Sequence, residues 1–204
     1  MKTQWKEISW TALLVILWAL APPPLNAGAP TDQVRSTLDK ISDVLNNPRL
    51  KSEAKKEERR QQLRAIIYPR FDFPEMAKRS LASHWRRLTP EEQKEFVEIF
   101  TDLLEHAYVG RIESYNDEKF VYVRETEDHD FSEVNTKVHT EKGEEFSLNY
   151  RLRLVNGEWK VYDIVVENIS LVNNYRSQFN RIITNSSYEE LVRRMKEKRI
   201  ETVK

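Results

Sequence analysis

The chain has 204 residues, 33 basic and 33 acidic side chains, a formal net charge of zero, four glycines and no cysteine. That composition excludes a disulfide frame, a thiolate metal site and a cysteine nucleophile. A neutral chain also lacks the basic surplus of a general nucleic-acid binder. The length fits one domain, which would bury roughly 70% of its unfolded surface.

The N-terminus places Lys2 and Lys6 before an apolar run from Ile8 to Ala21, followed by Pro22, Pro23, Pro24 and the small residue Ala27. That order is the pattern of a cleavable signal peptide, 1–27. A spanning helix needs about 20 apolar residues; this run is shorter and ends in prolines, so an uncleaved anchor is the rival reading. The expected location is the periplasm. The expected carrier domain is 28–204, with helices over 31–114, a sheet over 119–167 and helices over 170–199.

Thr31 and Asp32 offer caps for a first helix, whose Val34, Leu38, Ile41 and Leu45 share one face. Asn46-Asn47-Pro48 ends it. Lys51 to Arg64 is a mixed-charge stretch, read as a solvated helix face before a docking surface; Leu63, Ile66 and Ile67 form its buried end. A third helix covers Pro74 to Trp85. Thr89-Pro90-Glu91-Glu92 then supplies an N-cap, a proline at the first helical position and a glutamate at the third. This capping box starts a long helix to Ser114, with Phe96, Phe100, Leu103, Leu104, Tyr108 and Ile112 on its apolar face.

After Asn116-Asp117 the apolar period changes from about 3.6 to about 2. Phe120 to Arg124 reads as a first strand, and Val134, Thr136 and Val138 alternate in a second, which turns at Lys142-Gly143. Phe146, Leu148, Tyr150, Leu152 and Leu154 alternate with Ser147, Asn149, Arg151 and Arg153, as in a strand with one wet face. Asn156-Gly157 is a type I′ hairpin signal. The following strand, Glu158 to Glu167, is apolar at both parities in its second half, which predicts a central position. Leu171, Val172, Tyr175, Phe179, Ile182 and Ile183 return to helical spacing, and Ser187 with Glu190 predicts a second capping box before a last helix. The pattern gives an α+β fold, with a helical layer on a curved antiparallel sheet of about four strands enclosing an apolar cavity.

Catalytic signals are sparse. There is no phosphate-cradling glycine loop, no nucleophile elbow and no zinc-binding helix motif. Asp128-His129-Asp130, with His139 facing it across a hairpin, is the one group with metal character; a polar hairpin tip explains the same residues, and no metal site is expected.

The run from Glu158 to Phe179, EWKVYDIVVENISLVNNYRSQF, resembles the C-terminal signature of the MlaC family, also called toluene-tolerance proteins. Phe71-Asp72-Phe73-Pro74-Glu75-Met76-Ala77, with Trp85 and Leu88 to Gln93, is similar to the same family's N-terminal signature. The acidic hairpin Glu125 to Asp130 departs from the family pattern. The resemblance implies a non-enzymatic carrier that holds phospholipid as cargo and needs no cofactor. It further implies, as partners, an outer-membrane lipoprotein complex and an inner-membrane transporter of the ATP-binding-cassette (ABC) class with its substrate-binding ring, serving outer-membrane lipid asymmetry. A monomer that binds no nucleic acid is expected. Two rivals predict different interiors. An adaptor or chaperone would have no ligand cavity, and a small-molecule enzyme on a cone-shaped α+β fold would carry a polar dyad at the pocket floor.

Apolar phase and resemblance together place Phe146, Leu148, Tyr150, Trp159, Val161 and Ile164 on the sheet side of a lipid pocket. They place Phe73, Met76, Phe96, Phe100, Leu104, Tyr108, Val172, Tyr175 and Phe179 on the helical side. Arg176 is read as a structural ion-pair residue before a head-group ligand.

Overall fold

The structure, a computed structural model, describes residues 30–114 and 118–201. The expected leader, 1–27, lies outside the described residues. Among those described, six α-helices and five strands follow one another as helices, sheet, helices. The helices are α1 (Pro30–Asn46), α2 (Lys56–Ile67), α3 (Phe73–Leu81), α4 (Pro90–Glu113), α5 (Leu171–Asn185) and α6 (Tyr188–Lys196). The strands are β1 (Lys119–Asp128), β2 (Phe131–His139), β3 (Glu145–Val155), β4 (Glu158–Val166) and β5 (Ile169–Ser170). The fold class is α+β, helices on an antiparallel sheet, in the order β1-β2-β3-β4-β5. The fifth strand is the two-residue β5, beyond the four strands expected; of its residues only Ser170 falls in the expected helical range. No helix among the described residues is long and apolar enough to cross a membrane.

Local chemistry sets the helix ends. Thr89 Oγ1 accepts from the Glu92 amide at 3.2 Å and Glu92 Oε2 accepts from the Thr89 amide at 2.8 Å, so the capping box that starts α4 is complete. The second expected box is half formed. Ser187 Oγ accepts from the Glu190 amide, but the Glu190 carboxylate turns to Arg193 and Arg194. Ala82 adopts φ 50°, which ends α3 before a 3₁₀ turn, Ala82–Arg87, where an unbroken helix to Trp85 was expected. Thr31 does not precede α1 but lies in its first turn, and its amide donates to Glu125 Oε2 at 2.7 Å. The acidic hairpin thus supplies a carboxylate to the positive end of a helix 94 residues away.

Asn156 and Gly157 have φ of 52° and 81°, the signs that a type I′ turn requires. Beyond that turn β4 does not pair evenly with β3. Leu152 faces Val161 and Arg151 faces Asp163, leaving Tyr162 as an extra residue, a β-bulge. A bulge reverses side-chain parity, so Trp159 and Val161 before it, and Ile164 and Val166 after it, all share the face of Leu148, Tyr150 and Leu152. The strand has a partner on each side, as its sequence predicts, but its two-parity pattern has a further cause. β4 lies between β3 and the short β5; its apolar residues of both parities reflect the bulge, together with burial of Val165 on the other face.

Apolar packing is divided into three clusters. Phe96 and Phe100 of α4 meet Tyr175 and Phe179 of α5 edge to face, with Phe100–Tyr175 centroids 5.5 Å and Phe96–Phe179 centroids 5.9 Å apart. Val34 of α1 packs on Val134, Tyr150, Leu152, Trp159 and Val161 of the sheet. Val44, Leu45, Leu50 and Leu63 close the α1–α2 hairpin.

Asp163, 3% exposed, ties the sheet to the last helices. Its Oδ1 accepts from the Val172 amide at 3.0 Å, its Oδ2 accepts from Ser170 Oγ at 2.6 Å, and Arg151 pairs with it at 3.2 Å. Hydrogen bonds to a charged group contribute about 1.5–3 kcal/mol each. Asp163→Ala should therefore lower unfolding free energy by about 3 kcal/mol, measured as a shift in urea midpoint at unchanged m-value. A loss under about 1 kcal/mol would mean that packing of Leu171 and Val172 alone seats α5.

Candidate functional site

The space between the three clusters is a cavity of about 520 Å³. Its floor is the inner sheet face: Val138 of β2; Phe146, Leu148, Tyr150 and Leu152 of β3; Val161, Ile164 and Val166 of β4. Val34, Leu38 and Ile41 of α1 and Leu63 and Ile67 of α2 cover it. Leu104, Tyr108 and Ile112 of α4, with Phe73 and Met76 of α3, form the far wall. The bulge at Tyr162 makes this floor continuous, because without it Val161 and Ile164 could not face the same way.

Three polar side chains in the wall, Gln33, Thr37 and Thr101, are used internally. Thr37 Oγ1 donates to the Gln33 carbonyl at 2.7 Å and Thr101 Oγ1 to the Val97 carbonyl at 2.8 Å. Gln33 Nε2 donates to the Trp159 carbonyl. These groups present spent hydrogen-bonding capacity to the cavity. Burial raises the Tyr150 phenol above its ordinary range, so this floor residue stays neutral.

Paired charges gather where α2 faces the end of α4. Arg59 and Arg60 both clasp Glu113, at 2.8 and 2.7 Å. Arg64 pairs with Glu105, and Tyr68 also donates its hydroxyl to Glu105. Burial alone would raise the Glu113 carboxyl, but Arg60 and Arg59 outweigh it and hold it below the usual carboxylate range. The Arg64 guanidinium likewise holds Glu105 down, against burial and with help from Tyr68. A general base needs its pKa raised toward the working pH, the opposite direction.

Of the fifteen residues assigned to the pocket from the sequence, nine line this cavity: Phe73, Met76, Leu104, Tyr108, Phe146, Leu148, Tyr150, Val161 and Ile164. The other six do not. Phe96, Phe100, Val172, Tyr175 and Phe179 fill the α4–α5 core, and Trp159 packs beneath α1. An apolar stripe specifies burial and leaves open what covers it, and here the aromatic rings cover one another. The sequence reading missed the α1 and α2 linings altogether, although the spacing of Val34, Leu38 and Ile41 was its signal. The histidine cluster is not assembled. His129 pairs with the exposed Asp128 at the tip of the β1–β2 hairpin, while His139 stands at the far end of β2 beside Glu145. No metal-binding group occurs among the described residues.

The family model described as MlaC protein matches residues 35–197. The toluene tolerance protein Ttg2D of Pseudomonas putida is 27% identical over 169 residues, covering 82% of this chain and 79% of that protein. The intermembrane phospholipid transport system binding protein MlaC of Haemophilus influenzae is 23% identical over 140 residues, 66% of this chain and 65% of its own length. Among solved structures, the phospholipid-binding protein of Ralstonia solanacearum in complex with a phospholipid superposes with a TM-score of 0.73 at 25% identity, over 82% of this chain and 94% of that one.

The α2–α4 ion pairs carry a pH dependence. A carboxylate held below its unfolded pKa, about 4.3 for glutamate, stabilises the fold fully above that value and loses the contribution as pH falls through the lower folded value. Hydrogen-exchange protection of α2 should therefore drop below about pH 4 while the α4–α5 core stays protected. Glu113→Gln should reproduce the drop at neutral pH. Unchanged protection of α2 in both cases would mean that Leu63 packing holds the helix without the ion pairs.

Proposed function

The chain belongs to the MlaC family, and on that premise we propose that it is a periplasmic phospholipid carrier whose cavity takes acyl chains. The observation that carries this reading is the cavity itself, with an apolar floor and with the wall hydroxyls of Thr37 and Thr101 satisfied by their own helices. Its volume falls within the roughly 300–1,000 Å³ of ligand pockets, and its paired charges gather between α2 and the end of α4, where a head group can remain near water. An adaptor without a cavity fits these features poorly. An enzyme fits them no better, because Glu105 in the lining is paired with Arg64 and held below the usual carboxylate range, the opposite of what a general base needs.

The energetics suit a shuttle. Taking one methylene from water into an apolar site stabilises by about 0.8 kcal/mol, so a diacyl lipid would be held too firmly to release if water were its alternative. In a bilayer the chains are already buried, and the net change is near zero. Loading and unloading are then decided by small differences in a docked complex. The carrier is proposed to act as a monomer without cofactor. It would exchange cargo with an outer-membrane lipoprotein complex and with an inner-membrane ABC transporter and its substrate-binding ring. That the Haemophilus influenzae relative is the binding protein of an intermembrane phospholipid transport system supports transfer of phospholipid between membranes.

Native mass spectrometry of protein purified without detergent should find a mass increment equal to a phospholipid, extractable as such. Leu148, opposite Val166 in the floor, is the position to disrupt. Leu148→Arg should remove the increment while the protein still melts cooperatively. A bare mass for the unsubstituted chain in repeated preparations, or an undiminished lipid content in the variant, would overturn the assignment.

A further inference from the structure

The chain is neutral overall, but one face is not. Segments 73–87 and 171–185 hold Lys78, Arg79, Arg86, Arg87, Arg176 and Arg181, with Glu75 as their one carboxylate. Glu75 is largely covered, its side chain 12% exposed, and is spanned by Arg79 at 2.8 Å. The two segments lie side by side. Arg176 Nε donates to the Arg79 carbonyl at 3.0 Å, in place of the ion pair expected for it, and His84 Nε2 lies 2.9 Å from Asn180 Oδ1. Arg86, Arg87 and Arg181 are exposed and have no carboxylate partner among the described residues. None of these six cations lines the cavity.

We propose that this face of α3, the Ala82–Arg87 turn and α5 docks on the anionic head groups of a phospholipid surface. Its centre consists of long cations among small polar residues, Ser83, Ser177 and Asn180, all exposed. Trp85, the one large apolar side chain of the turn, is half-buried against the α4–α5 core, so the face offers no fully exposed anchor of the kind that dominates the energetics of specific protein interfaces. Phe131, 45% exposed, stands only at its edge, 6.0 Å from Arg79. A layer of phosphates needs no such anchor, because each nearby Lys or Arg contributes independently and within a Debye length. The inference stands apart from what the cavity holds.

The test is co-sedimentation with vesicles of phosphatidylcholine alone and of phosphatidylcholine mixed equally with phosphatidylglycerol. The protein should pellet with the mixed vesicles, and less so as salt rises. Substituting Arg86→Gln, Arg87→Gln and Arg181→Gln together should weaken that binding about a hundredfold, at about fivefold per arginine. Co-purified lipid and melting temperature should not change. Replacing the same three with lysine should preserve binding, which separates loss of charge from loss of fold. Equal pelleting with both vesicle types, or undiminished binding by the glutamine variant, would overturn the proposal and leave the face to an acidic protein.

Discussion

The inner face of the sheet presents apolar side chains to a space that the protein does not fill, and the rest of the architecture answers to that fact. A single central core would have to occupy the same volume. Packing is therefore pushed outward into three clusters, the α4–α5 aromatic block, the α1–sheet contact and the α1–α2 hairpin. An apolar occupant of that space would give the floor the contacts that its own chain does not supply.

Polar groups follow the same constraint. Near the cavity Thr37 and Thr101 are bonded within their own helices and Gln33 to the backbone of β4, and paired charges gather where α2 meets α4. The long-range polar ties lie on other sides. Asp163 seats α5 from the outer face of β4, Arg153 reaches Asp72 at the start of α3, and Glu125 meets the first turn of α1. Each joins the sheet to a different helix.

How far these features could be read in advance depended on their range. The α4 capping box and the Asn156-Gly157 turn are local, so residue type and spacing were sufficient. The alternation of Phe146 to Leu154 was equally direct. The partition between lining and core was not, because Phe96 and Leu104 share one apolar stripe of α4, and only the position of α5 makes the first core and the second wall. The contact of Glu125 with Thr31 was out of reach for the same reason: it depends on where a hairpin tip falls in space. The bulge left a trace, apolar residues at both parities of β4, but that trace is also the mark of a strand buried on two sides.

That bulge carries a consequence for how the pocket is encoded. The first half of β4 addresses the floor with odd-numbered residues and the second half with even-numbered ones, and Tyr162 is the single residue that shifts the frame. The same residues paired without the bulge would turn Asp163 and Val165 toward the floor and Ile164 and Val166 away. The site is thus stored in the pairing register of a strand as much as in its side chains. A substitution along this floor alters its contour, whereas a one-residue slip beyond Tyr162 would exchange one face of the strand for the other.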